Sequence, residues 1–145
     1  MAAALDLDLR RALEPHRGRL LSEGLDAWLA ATFAQDIADR ALFERALTHG
    51  SDGRANYERL EFLGDRVLGL AIAEWLYERF PAEPEGNLSK RINALVARRT
   101  CADVARELGV APHVRLGKQA RNDGAAVSDN VLGDVLEALI GALHL

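Results

Sequence analysis

Residues 57–80 read YERLEFLGDRVLGLAIAEWLYERF, which is the longest helical pattern in the chain. Apolar residues recur there every three or four positions until Pro81 and Pro84 interrupt the pattern. Helical spacing continues through almost all of the 145 residues, and no alternating β-branched run is longer than about four residues. The sequence therefore predicts an all-α fold, a compact domain of several helices.

Shorter patterns predict the other helices. Ser22 and Asp39 have the character of helix N-caps. Three further helices are expected: one from Asn87 or Leu88 to about Arg99, one from Thr100 to Gly109, and one beginning at Ser128 or Asp129. Residues 111–126 are predicted to be a loop.

The ends of the chain carry separate expectations. Pro15 and Gly18 interrupt residues 1–21, which predicts a loosely ordered N-terminal arm before a domain at 22–145. The last helix runs to Leu145 without a capping signal, so we expect a segment excised from a longer protein.

Composition excludes several classes of protein. Apolar residues make up 49% of the chain, enough for one core, but no apolar run approaches the roughly 18–20 residues that span a bilayer. Cys101 is the only cysteine, which excludes an internal disulfide or a cysteine zinc cluster and favours a reducing compartment. The sequence has neither the start of a secretory signal nor a glycine-rich phosphate loop. We expect a cytoplasmic protein that uses no membrane and no nucleotide cofactor.

Acidic residues occupy positions where apolar residues would be expected. Glu58, Glu61 and Asp65 share a face of the long helix within roughly 60°. Asp134 and Glu137 are the only charged residues between Val131 and Leu143, and they too are three residues apart. Burying ionised carboxylates costs several kcal/mol unless something neutralises them. Salt bridges from elsewhere, such as Arg59, Arg66 or the basic residues of 90–121, could do so, but a divalent cation fits better because Mg²⁺ prefers carboxylate oxygens.

Several motifs resemble the ribonuclease III family. Residues 56–65, NYERLEFLGD, are similar to its signature stretch almost letter for letter. Residues 46–51, ALTHGS, resemble an upstream segment, and residues 85–90 and 132–141 resemble a second acidic stretch and the closing helix. The resemblance covers about residues 36–145 and implies a bacterial-type endonuclease domain without its double-stranded-RNA-binding domain.

The resemblance assigns roles position by position. It implies catalysis and metal binding by Glu61, Asp65, Asp134 and Glu137, with Glu58 and Glu85 as supporting acids. The implied activity is hydrolysis of double-stranded RNA with Mg²⁺, for which Mn²⁺ can substitute, giving 5′-phosphate and 3′-hydroxyl ends during rRNA or mRNA processing. The alternative is a non-catalytic RNA- or protein-binding module that keeps the fold; the six intact acids favour the enzyme.

The charges are distributed unevenly along the chain. The net charge is −4, yet residues 90–121 carry eight basic and two acidic residues, a balance of +6. Chance clustering on solvated helix faces would also explain this. Because A-form RNA is recognised mainly through its backbone, the candidates for phosphate contacts are the cations Lys90, Arg91, Arg98, Lys118 and Arg121.

A homodimer is the expected assembly. A duplex has two antiparallel strands, so an enzyme that cuts both is most simply a twofold pair. Phe62 lies beside the acidic face and is either local core or an interface residue. In the resembling family this position inserts into the partner, which favours the interface.

Overall fold

The computed structural model describes residues 24–33, 37 and 39–145. The chain divides between Ala38 and Asp39 into two units. In the first unit residues 24–33 form a helix, α1, whose Trp28 meets Phe33 edge to face at 6.0 Å between ring centroids. The predicted arm at residues 1–21 and the Ser22 cap lie outside the described residues.

The second unit is helical, as predicted. Six α-helices follow one another: α2 (Arg40–Ala46), α3 (Glu58–Arg79), α4 (Glu85–Leu95), α5 (Arg98–Glu107), α6 (Lys118–Asn122) and α7 (Asp129–His144). Short 3₁₀ turns lie at Gly50–Asp52, Ala111–His113 and Ala125–Val127. The described residues contain no β-strand, only an isolated bridge between Thr48 and Arg115.

Three predicted helix ends are confirmed. The Asp39 carboxylate accepts a hydrogen bond from the Ala41 amide, and the Ser128 hydroxyl accepts one from Val131. Gly109, with φ of +68°, follows the end of α5. These side chains and the glycine satisfy or redirect backbone groups that a helix end leaves unpaired.

The predicted boundaries of α4 and α5 are wrong. Helix α4 begins at Glu85 because the Pro84 carbonyl already accepts from the amide of Asn87. It ends at Leu95, and α5 begins at Arg98. Thr100 therefore lies inside α5, and its hydroxyl donates to the Ala94 carbonyl instead of capping a helix.

The predicted loop at 111–126 is also partly wrong. It contains α6 and two of the 3₁₀ turns. Backbone hydrogen bonds from Arg115 to Leu47 and from His49 to Arg115 tie it to the segment after α2.

Helix α7 forms the centre of the second unit. It packs against α3 and α5, and its buried residues include Leu132, Val135 and Leu139. Cys101 of α5 belongs to the same core. None of the described helices combines the length and apolar character needed to cross a membrane.

Candidate active site

Two glycines allow α3 and α7 to cross at very short range. A Cβ placed on Gly64 would lie 1.6 Å from the carbonyl oxygen of Glu137. A Cβ placed on Gly141 would lie 2.3 Å from the carbonyl oxygen of Leu60. Only glycine permits such close backbone contact, so these two residues set the point at which the helices cross. Glu61 and Asp65 lie on α3 on either side of that point.

Four acids interact electrostatically at this crossing. Burial raises the pKa of Glu137 to about 7, and the neighbouring charges of Asp65, Glu61 and Asp134 add to the effect. Burial also raises the pKa of Glu61, followed by the charge of Asp134. Each of these carboxylates therefore makes ionisation of the others less favourable, and nearby positive charge does not fully compensate the four.

Protein groups compensate two of the four acids. Arg66 pairs with Asp65, and Arg98 Nη1 lies 3.2 Å from Asp134 Oδ1. The Tyr57 hydroxyl donates a long hydrogen bond, 3.4 Å, to Asp134 Oδ2. Within the described part of the chain, no ion pair is formed by Glu61 or Glu137. The arginine explanation therefore accounts for half of the cluster.

The donor chemistry of the cluster suits a hard divalent cation. All four side chains offer carboxylate oxygens. The pKa values of Glu61 and Glu137 are raised first by burial and then by the neighbouring carboxylates, and a bound cation would oppose both effects. As the side chains stand, no three His, Cys, Asp or Glu residues of the described ranges converge into a group that could hold a metal ion. Two of the carboxylates are engaged by arginines instead.

Comparison with known proteins identifies the family. The sequence model of the ribonuclease-III-like family matches residues 39–145. The chain belongs to the ribonuclease-III-like family. It is 60% identical over 119 residues to ribonuclease 3 of Zymomonas mobilis, a match that covers 82% of this chain and 48% of that protein. The chain thus spans about half the length of the curated relatives it matches.

Solved structures agree with this assignment. The nuclease domain of ribonuclease III from Campylobacter jejuni is 38% identical, with a TM-score of 0.78 over 81% of this chain and 82% of that one. Dicer from Pichia stipitis is 31% identical, with a TM-score of 0.58 over 75% of this chain and 47% of that one. The all-α fold expected for the ribonuclease III family is therefore the fold of this chain.

The two supporting acids lie on different helices. Glu58 is exposed in the first turn of α3, and its charge contributes to raising the pKa of Glu61. Glu85 is the first residue of α4, and its carboxylate accepts a hydrogen bond from Ser89 at 2.5 Å. Their roles in a ribonuclease III site stay predictions.

Phe62 is not a core residue of the single chain. The residue is 64% exposed, and the Arg66 guanidinium lies 4.7 Å from the ring centroid. Further along α3, Leu70, Trp75 and Tyr77 are exposed as well. Of the two interpretations of Phe62, local core is excluded and the interface stays open.

The predicted RNA-contact residues differ in their surroundings. Arg91 donates two hydrogen bonds to Glu83, at 2.8 and 2.7 Å, and lies 4.1 Å from the Phe80 ring centroid. Arg98 pairs with Asp134, and Arg121 donates to the Leu116 carbonyl. Lys90 of α4 and Lys118 of α6 are exposed. All five residues are exposed, but the three arginines are held by protein acceptors, whereas the two lysines have none among the described residues.

Three residues of the site carried no clear signal in the sequence: Gly64, Gly141 and Tyr57. Gly64 and Gly141 were signalled only by small residues inside apolar helices, and their contact is visible only in three dimensions. Tyr57 was named only as the start of the helical pattern at 57–80 and within the 56–65 motif, and not as a partner of Asp134. Arg98 was expected as an RNA contact and, with the other basic residues of 90–121, as a possible ion-pair partner of the acids; it pairs with Asp134.

Proposed function

We propose that this domain is a divalent-metal-dependent endoribonuclease that hydrolyses double-stranded RNA and leaves 5′-phosphate and 3′-hydroxyl ends. The observation that carries the proposal is the cluster of four coupled carboxylates at the α3–α7 crossing, in a chain of the ribonuclease-III-like family. Relatives named ribonuclease 3 and a neighbouring nuclease domain support the reaction class.

The four acids would hold the metal, and Mg²⁺ is the ion that we expect, with Mn²⁺ as a substitute. When bound, such an ion lowers the pKa of water and stabilises the negative charge that develops on phosphate oxygens. The chain's own contribution is placement, since the glycine contact between α3 and α7 fixes the backbone of Glu137 against that of Gly64. Glu58 and Glu85 would support this site from α3 and α4.

A homodimer would match the symmetry of the substrate. Phe62 gives an exposed aromatic side chain one residue from Glu61, so an interface there would place two sites close to a twofold axis. The Campylobacter nuclease domain has a structurally flexible region that is involved in dimer formation. We propose the same kind of assembly for this chain, with Phe62 in the interface.

Basic residues would bind the duplex backbone. Lys90 and Lys118 are the first candidates because no acceptor in the described part of the chain holds them. Arg91, Arg98 and Arg121 are exposed as well and would bind phosphate after leaving their protein partners. Phosphate contacts of this kind give affinity without base specificity. Ribosomal precursors and messenger RNA in the cytoplasm are the substrates that we propose, with no membrane or nucleotide partner.

Cleavage of a long RNA duplex tests the proposal. End-labelled duplex is incubated with micromolar protein at low salt, with Mg²⁺, with Mn²⁺ or with chelator, and product ends are assigned by a 5′-phosphate-dependent exonuclease and by 3′ tailing. We expect metal-dependent cleavage by the parent and by the control Glu78→Gln, and none by Asp65→Asn. Duplex that is bound but uncut would favour the non-catalytic module.

A further inference from the structure

Both carboxylate oxygens of Asp134 are engaged by other parts of the protein. Arg98 Nη1 lies 3.2 Å from Oδ1, and the Tyr57 hydroxyl lies 3.4 Å from Oδ2. Arg98 is the first residue of α5 and Tyr57 precedes α3, so two separate elements hold this α7 side chain. Asp134 therefore has no oxygen left without a protein partner.

The position of Arg98 is built into the packing of α5 on α7. A Cβ on Gly133 would lie 3.1 Å from Arg98 Cγ and 3.2 Å from its carbonyl oxygen, so the glycine accommodates the stem of the arginine. The same Nη1 atom also lies 3.4 Å from Asn130 Oδ1. The Arg98 side chain is nevertheless 55% exposed, while that of Asp134 is 19% exposed. The guanidinium can consequently leave the carboxylate toward solvent.

We propose that Arg98 is a resident counter-ion of the acid cluster that competes with the divalent cation for Asp134. This inference rests on the proposed function, because it assumes that Asp134 is a metal ligand. A guanidinium and a divalent cation on one carboxylate repel each other, so binding of the ion displaces Arg98. Arg98 thereby lowers the affinity for metal and partly compensates the cluster while the metal is absent.

The displaced guanidinium acquires a second role. Once it has left Asp134, it is a half-exposed cation beside the site, where a phosphate of the substrate can pair with it. Metal binding and duplex binding are then linked, since each favours the position of Arg98 that the other needs. Arg98 is in this sense a positioning residue, distinct from the acids that would bind the metal.

Metal titration without RNA tests the competition. The melting temperature of the full chain is followed against MgCl₂ and MnCl₂ concentration for the parent, Arg98→Gln, Arg98→Lys and the control Arg99→Gln. The Arg99→Gln control removes the same charge from the neighbouring residue, whose charge acts on Asp129. The half-saturating metal concentration of Arg98→Gln should fall roughly two- to five-fold, the range of a partly exposed ion pair. Arg98→Lys and Arg99→Gln should stay near the parent value.

The outcomes separate the two proposals. Equal half-saturation in Arg98→Gln and the parent would overturn the competition and leave the nuclease proposal standing. Weaker metal binding by Arg98→Gln would also overturn it, because Arg98 would then prepare Asp134 for the ion. If Arg98→Gln folds poorly, Arg98→Lys provides the test. A half-saturating metal concentration of Arg98→Lys that differs from that of the parent would contradict a role based on charge. A parent protein that responds to neither metal would overturn both proposals.

Discussion

Gly64→Ala should damage both the stability of the domain and its site. The added methyl would lie 1.6 Å from the carbonyl oxygen of Glu137, whereas ordinary contact begins near 3.4 Å. The contacted atom belongs to the backbone and cannot rotate away as the end of a flexible side chain can. Helices α3 and α7 must therefore separate by roughly 1.8 Å, the difference between these two distances. Overpacking of a core costs about 1–3 kcal/mol, and a backbone clash belongs at the upper end of that range or above it.

Gly69→Ala is the matched control on the same helix. No heavy atom lies within 4 Å of the position of its added methyl. Alanine is favoured over glycine inside a helix by about 0.5–1 kcal/mol, so this variant should be as stable as the parent or more so. The two variants have the same composition and differ only in where the methyl is placed.

Urea unfolding followed by far-ultraviolet circular dichroism measures both free energies of unfolding. We expect Gly64→Ala to lose about 3 kcal/mol relative to Gly69→Ala, and to cleave duplex poorly even where it remains folded, since the α3 acids move away from Glu137. Equal stability of the two variants would refute the close helix crossing. Full cleavage by a destabilised Gly64→Ala would refute the link between that crossing and the site.

Four further outcomes are expected. The pKa of Glu137, about 7 in the folded chain, exceeds the ordinary 4.5, so its ionisation costs stability as pH rises through that window. Without divalent ions, Glu137→Gln should therefore have a free energy of unfolding about 1–2 kcal/mol above that of the parent at pH 8, after allowance for solvent screening. At pH 4 the two proteins should be equally stable, and a difference there would contradict the titration of Glu137. Asp65→Asn should keep its circular dichroism spectrum but lose cleavage and most of the metal-induced rise in melting temperature; an unfolded variant would indicate a structural role. Phe62→Ala should sediment as monomer and cleave slowly; a parent that is monomeric at tens of micromolar would contradict the dimer. Reversing the charges of Lys90 and Lys118 should flatten the salt dependence of duplex affinity, and an unchanged slope would exclude both as phosphate contacts.

Local signals predicted the fold where they were strong. Helix α3 was predicted to within a residue because its apolar spacing is long and Pro81 stops it. Helix α7 begins with a serine cap, as its sequence indicates. Helices α4 and α5 were misplaced because neither has a side-chain cap, so backbone carbonyls and tertiary packing set their ends.

The candidate site was predictable as residues but not as geometry. Spacing alone places Glu61 and Asp65 on one face of α3, because helix periodicity is a local property. The meeting of α3 with α7 depends on Gly64 reaching the backbone of Glu137, 73 positions away in the numbering, and no local rule gives that pairing. For the same reason the sequence allowed basic residues of 90–121 to pair with the acids but did not show that Arg98 pairs with Asp134.

The acids occupy a part of the fold that can tolerate their repulsion. Asp134 and Glu137 lie on α7, whose other residues Leu132, Val135 and Leu139 are completely buried. Burying one such side chain contributes about 1.5–3 kcal/mol, so three of them outweigh the about 1–2 kcal/mol that an ionised Glu137 costs at neutral pH. A helix held this firmly keeps the carboxylates near one another without a metal, which an exposed loop could not do. The same apolar residues that make α7 the core therefore make an acidic site on it possible.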